Sequence, residues 1–214
     1  MIITCLGHAK FLLKLENGMT IVTDPYDAST GYPIRPVSAD AVLVSHGHHD
    51  HSAVDTLSSY GQLINTAGVH TLAPDTVVTA FPCWHDDRRG ALRGSNLIFL
   101  LETEGLRVAH LGDLGHMPDA NLAAKLKNVD VLMIPVGGYY TIDATQAKAV
   151  CELLQPKVIL PMHYRTQWNA NWNIAGVEDF TRLFPRPVEE LDLLRVTAGD
   201  MKCQPDVAVL RAQI

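Results

Sequence analysis

Apolar runs of four or five residues recur through the first half of the chain, separated by turn-forming residues. This spacing predicts short strands over Ile2–Leu6, Phe11–Leu15 and Thr20–Thr23, with Glu16-Asn17-Gly18 as a hairpin turn. Ala41–Ser45 is the next apolar run and reads as a buried strand. Ser52–Tyr60 reads as a helix stopped by Gly61. Val69–Leu72 and Thr76–Ala80 return to strand, and Asn96–Glu102 pairs with Leu106–Leu111 around Thr103-Glu104-Gly105. The second half alternates. Asp119–Lys127 is a helix and Val129–Pro135 a buried strand. Ala144–Leu154 places Ala147, Val150, Cys151 and Leu154 on one helical face. A strand over Lys157–Leu160, a short helix over Val177–Leu183 and strands over Leu193–Thr197 and Val207–Leu210 follow. Strands with helices interspersed in both halves predict α/β layers, two sheets between helices.

Composition narrows the class. A chain of 214 residues suits one domain spanning 1–214 with a substantial core. Hydrophobic residues at 47% and charged residues at 19% exclude a disordered chain. A net charge of −6 argues against charge-driven nucleic-acid binding, while leaving room for a basic pocket that takes a small anion. Cys5, Cys83, Cys151 and Cys203 are scattered without any CxxC, which excludes a zinc ribbon and a thioredoxin-type site. Each reads as a small core residue in a reducing, cytoplasmic setting. The start of the chain lacks the pattern of a signal peptide, and no apolar run approaches the ~18 residues that span a bilayer. No membrane partner is expected.

The chemistry is concentrated in His46-Gly47-His48-His49-Asp50-His51, directly after a predicted strand. Imidazole and carboxylate together are ligands for a borderline cation such as zinc. His46 and His48 can face one way in extended chain, and Asp50 and His51 begin a turn that can serve a second centre. Four more strand ends carry a ligand type: Asp24 before Pro25, His85 after Trp84, Asp113 between Gly112 and Gly115, and His163 after Met162. Alone, Asp24 is equally a turn former before proline, Asp113 equally a glycine turn, and His85 equally structural. As a set, with the six-residue run, they form a metal-ligand pattern.

In order and spacing, this set resembles the metallo-β-lactamase superfamily across nearly the whole chain. The resemblance implies a four-layer αββα sandwich with the site at one edge of the two sheets. It implies that His46, His48 and His85 hold one metal, Asp50, His51 and His163 a second, and that Asp113 bridges both. Asp24 would support the ligand loop by hydrogen bonds. Two divalent ions, zinc foremost with manganese, iron or nickel as substitutes, would hold a bridging hydroxide that attacks a carbonyl or phosphorus. Asp113 and Asp50 are the catalytic carboxylates in this reading, Asp50 also as a proton acceptor. A narrower similarity links Leu6-Gly7-His8-Ala9, Thr23-Asp24-Pro25-Tyr26, Gly112–His116, Pro135–Asp143 and Pro156–Tyr164 to the branch containing L-ascorbate-6-phosphate lactonase-like proteins. The expected activity is hydrolysis of a small ester, lactone or phosphoester, with a small-molecule, anionic substrate and a homo-oligomer left open. The alternatives are a phosphodiesterase acting on an extended substrate and a non-catalytic metal-binding protein.

Several residues are candidates for shaping the substrate site. Backbone N–H groups around Gly138 and Tyr139 could receive an anion, or simply form a strand-to-helix turn. His8 and His116 could touch substrate or support ligands, or be structural. Arg165, in the loop running to Trp172, could pair with a phosphate or carboxylate. Asp86-Asp87-Arg88-Arg89 reads as a solvated turn, His49 as facing away from the metals, and His70 and His110 as structural.

Overall fold

A computed structural model describes residues 1–214. The first sheet is built from β1 (Ile2–Cys5), β2 (Phe11–Lys14), β3 (Thr20–Thr23), β4 (Ser38–Leu43), β5 (Ser59–Ile64) and the late strand β13 (Leu194–Arg195), in the order β13-β1-β2-β3-β4-β5. The second contains β6 (Gly68–Ala73), β7 (Thr76–Trp84), β8 (Ser95–Thr103), β9 (Leu106–His110), β10 (Val131–Pro135) and β11 (Val158–Met162), in the order β11-β10-β9-β8-β7-β6. A parallel pair, β12 (Glu189–Leu191) and β14 (Ala208–Leu210), completes the strands. The helices are α1 (Ala120–Leu126), α2 (Ala144–Leu154) and α3 (Glu178–Thr181).

Alternation along the strands sorts side chains into layers. Ile3, Phe11, Leu13 and Ile21 of the first sheet meet Val78, Phe99, Leu101, Met133 and Leu160 of the second in the central core. The opposite face of the second sheet packs Ile98, Leu111, Leu132 and Ile134 against Leu122, Ala147, Val150 and Phe180 of the helices. The outer face of the first sheet is lighter: Val22, Val42 and Val44 are covered by Leu57 and by Val54, from a single 3₁₀ turn. The molecule is thus an αββα sandwich whose helical layer over the first sheet is reduced to that turn. Asp119 and Asp143 cap α1 and α2, each accepting from a backbone N–H of the first turn. No helix is long and apolar enough to cross a membrane.

Strand direction places the site. β1 and β3 are both antiparallel to β2, and β3, β4 and β5 run parallel. In the second sheet β7 and β9 are both antiparallel to β8, and β9, β10 and β11 run parallel. The segments after β1, β3, β4, β7, β9 and β11 therefore leave their sheets at C-terminal ends on one edge, and every candidate ligand lies on one of them.

The predicted helix over Ser52–Tyr60 is absent. Ser52 and Ala53 donate to His48 and Pro25 carbonyls, the chain makes one 3₁₀ turn, and Ser59 onward pairs with β4. The exposed ladder edge of β4 needed a partner, and that tertiary demand overrode local propensity. Gly61 is no helix stop: a Cβ there would collide with the Asp40 carbonyl across the ladder. Strand β7 runs past its predicted end through Pro82, because its pairing with β6 ends at Ala80, opposite Gly68, and leaves the proline on an unpaired edge. Cys203 is exposed, contrary to the core placement expected of all four cysteines.

Candidate metal centre

The support begins at Asp24, the first residue after β3, with φ of 38°. Its buried carboxylate accepts from the Ser45 backbone N–H (2.8 Å) and hydroxyl (2.7 Å), and from His51 Nδ1 (2.8 Å). Since the Ser45 hydroxyl donates to Asp24, its oxygen accepts from His46 Nδ1 at 3.0 Å. One carboxylate thus orients the ring of His51 directly and that of His46 through Ser45, turning both Nε2 atoms toward the cleft. His110 plays a structural part beside it: its Nδ1 accepts from Gly112 and its Nε2 donates to Ala9.

Asp113 is held by a different device. Gly112 takes φ of +52°, and a Cβ there would strike Asn96 and Ser45. Asn96 donates to the Leu111 carbonyl (2.9 Å) and accepts from the Asp113 N–H (2.9 Å), gripping the turn from both sides. The Asp113 side chain then stands 3.2 Å from His51 Nε2, 3.1 Å from His85 Nε2 and 3.2 Å from His163 Nε2.

The side chains form two groups. His46, His48 and His85 make one, with His46 Nε2 and His48 Nδ1 3.0 Å apart. His8, Asp50, His51 and His163 make the other, with His8 Nε2 3.3 Å from Asp50. Asp113 lies between them, within ligand spacing of His46 and His51. The donor set fits cations. His51 Nε2 and Asp113 Oδ1 are buried, face each other and have no hydrogen-bond partner, the state that a shared metal would relieve. Gaps of 3.0–3.3 Å between donors lie just inside the edge of a tetrahedron, about 3.3–3.6 Å for metal–ligand bonds near 2.0–2.2 Å. Backbone strain also collects here, since His8, Asp24 and His163 are non-glycine residues at positive φ.

Burial sets the protonation states. Burial pushes His46 down to about 3 and His8 to about 4, so both rings are neutral at neutral pH, the form in which an imidazole can bind a metal. Burial opposes the charge on Asp113, but the His163 and His51 rings hold its carboxyl well below the usual range. His51 is raised despite its burial, because Asp113 and Asp24 flank it. Asp50 is also held low against burial, by His8 and His51.

A cleft of about 670 Å³ opens above these groups. His48, Asp50, His85, Asp113 and His163 form its floor; Trp172, Tyr140, Asn171, Asn173 and Arg93 form its walls. His49 reaches the rim, where its Nδ1 meets Ser29 Oγ at 2.8 Å.

Some expected substrate residues lie elsewhere. His116 bonds the Trp84 N–H and the Met117 carbonyl, outside the cleft. Arg165 lines a separate pocket with Trp168. The Gly138 N–H donates to Ile142, and the Tyr139 side chain is exposed, so the turn serves the fold more than an anion. His8, by contrast, joins the ligand cluster. Asp86 is no solvated turn residue: its buried carboxylate accepts backbone N–H groups from Arg88, Gly90, Leu92 and Arg93 at 2.8–3.0 Å. Arg93 and Asn96 escaped sequence reasoning. An asparagine opening an apolar strand was a faint signal for Asn96; for Arg93 there was none.

A family model described as a β-lactamase superfamily domain matches residues 2–163, a span that runs from β1 to the last candidate ligand. A UPF0173 metal-dependent hydrolase of Archaeoglobus fulgidus is 33% identical over 194 residues, covering 77% of this chain and 83% of that protein. One from Carboxydothermus hydrogenoformans is 34% identical, covering 77% and 84%. A Thermotoga maritima crystal structure, provisionally described as a zinc-dependent hydrolase of the metallo-β-lactamase superfamily, superposes with a TM-score of 0.79 at 36% identity, covering 98% of this chain and 97% of that one.

Proposed function

This chain belongs to the β-lactamase superfamily domain family and within it to the UPF0173 metal-dependent hydrolases, and on that premise we propose that it hydrolyses a small ester, lactone or phosphoester at a dinuclear site. The observation that carries this reading is the pair of donor groups sharing Asp113 on the floor of an open cleft. A structural metal site closes its coordination with protein; a catalytic one faces solvent. A cleft of about 670 Å³ suits a small molecule.

His46, His48 and His85 would hold one ion, and Asp50, His51 and His163 the other, with Asp113 shared. Zinc suits these imidazole and carboxylate donors, and the zinc-dependent description of the Thermotoga maritima protein supports it. Bound there, two divalent ions supply a hydroxide nucleophile at neutral pH and positive charge for the developing oxyanion. The protein's own part is orientation. Asp24 sets the orientation of two histidine rings, Asn96 sets the Asp113 backbone, and Trp172 and Tyr140 wall the cleft. The depressed pKa of Asp50 favours a ligating role over proton acceptance. The resemblance of the segments around Gly7-His8, Asp24-Pro25 and Met162-His163 to L-ascorbate-6-phosphate lactonase-like proteins favours the lactone end of the substrate range.

The test is a panel of esters, lactones and phosphoesters assayed on protein of measured metal content, beside His48→Ala. Hydrolysis should scale with metal and fall at least about 100-fold in the variant. Activity untouched by the substitution would refute the mechanism.

A further inference from the structure

The metal cleft has one arginine in its wall, and that arginine has no carboxylate partner. Arg93 is half-buried; its Nη2 donates to the Tyr139 carbonyl at 2.9 Å, and its guanidinium carbon lies 5.7 Å from the Tyr140 ring centroid. The acidic groups nearby are otherwise engaged. Asp50 and Asp113 face histidines, and Asp86 is spent on backbone N–H groups. An arginine drawn partly out of water without a counter-charge is costly unless a ligand supplies one.

The loop is also built to hold this side chain still. Asp86 binds four of its backbone N–H groups, that of Arg93 among them. The next carbonyl, Gly94, accepts from the N–H of His85, a residue of the metal floor. The position of the Arg93 backbone is therefore tied to the metal centre through one hydrogen bond and one residue. The Tyr140 ring and the Tyr139 carbonyl then orient the guanidinium. Four of its five N–H groups remain for a planar, bidentate anion.

We propose that Arg93 is the specificity anchor of the cleft, and that the substrate is an anionic ester or lactone whose carboxylate or phosphate binds this guanidinium while its scissile bond lies over the His48–His85–Asp113 floor. The inference rests on the hydrolase reading for the reacting bond, but not for the anion. The neutral donors of Asn171 and Asn173 and the Trp172 ring on the cleft wall leave Arg93 as the charged determinant.

Two measurements on zinc-loaded protein test it. The first compares hydrolysis of monomethyl glutarate, the methyl ester of phosphoglycolate and uncharged dimethyl glutarate. Arg93→Gln should raise KM about 10- to 100-fold for whichever charged ester is used, carboxylate or phosphate. Its zinc content should match wild type, its loss should fall on KM more than on kcat, and the loss on dimethyl glutarate should be at least about tenfold smaller than on the charged esters, with Arg93→Lys falling between Arg93→Gln and wild type. The second measures calorimetric binding of glutarate against its monoamide, glutaramate, whose second end is uncharged. Wild type should prefer glutarate by about 10- to 100-fold, and Arg93→Gln should abolish that preference. Equal losses on charged and uncharged esters, or a glutarate preference that survives in Arg93→Gln, would overturn the proposal. Absence of hydrolysis of all three esters with the glutarate preference intact and dependent on Arg93 counts against the hydrolase reading and for the anion site.

Discussion

Asp24 shows how much one buried carboxylate can organise. Its two oxygens reach Ser45 and His51, and through Ser45 they reach His46, so a residue outside both donor groups orients the rings of two of their members. Asp24→Ala should lower zinc affinity by about 10- to 100-fold, the usual effect of removing a group that orients a ligand. Competition titration with a chromophoric chelator reads this directly, and unchanged affinity would remove Asp24 from the site. Residues of this kind differ in how far sequence reveals them. The six-residue histidine run, Asp113 and His163 are legible because ligand identity and position after a strand are local facts. Ser45, Asn96 and Arg93 are not, because each acts only through neighbours that folding brings to it: Asn96 lies 17 residues from the Asp113 N–H it holds. Local strain belongs to the same class, since nothing in the residue types of His8 or His163 announces a positive φ.

At the level of elements, α2 was readable from its apolar face and the Glu104-Gly105 hairpin from its turn residues, which both take positive φ, whereas the acidic caps that start α1 and α2, Asp119 and Asp143, show themselves only in the structure. Strand β5 was not readable, because the reason for it lies on β4. Its residues are exposed up to Ile64, so no period-2 pattern marks it, and its extended form is imposed by the ladder it completes. Gly61→Ala puts this to the test. The new Cβ meets the Asp40 carbonyl, so β5 must shift, at a cost of about 1–3 kcal/mol. Thermal unfolding should move down by several degrees, roughly 2–4 °C per kcal/mol for a chain of this size. Zinc content and turnover of the folded variant should not change, because β5 contributes nothing to the cleft floor. A variant of wild-type stability would mean that β5 is not held against β4 as described.

The whole molecule buries six of its ten imidazoles, and this couples its stability to pH when metal is absent. Unfolded histidines titrate near 6.5. In the folded chain His46 is pushed to about 3, His8 to about 4, and His48 and His110 downward, desolvation being the first cause in each. Between pH 6.5 and 4 the unfolded chain therefore binds more protons than the folded one, and acidification favours unfolding. His51 has the opposite sign: its folded pKa is raised, so its contribution is complete below 6.5 and erodes only as pH rises through the folded value. It cannot offset the loss on the acid side. The depressed carboxylates, Asp24, Asp50 and Asp113, contribute above about 3.8 and lose that contribution only below it. The metal-free protein should accordingly be most stable near neutrality and lose stability steadily from pH 6.5 to 4. Zinc binding should add stability at neutral pH by mass action and release it on acidification, as protons compete for the same nitrogens. Thermal melts of chelator-treated protein across this range measure the slope, and His46→Gln should flatten it by removing one buried proton acceptor. A melting temperature independent of pH in the metal-free protein would show that these imidazoles are not held neutral by the fold.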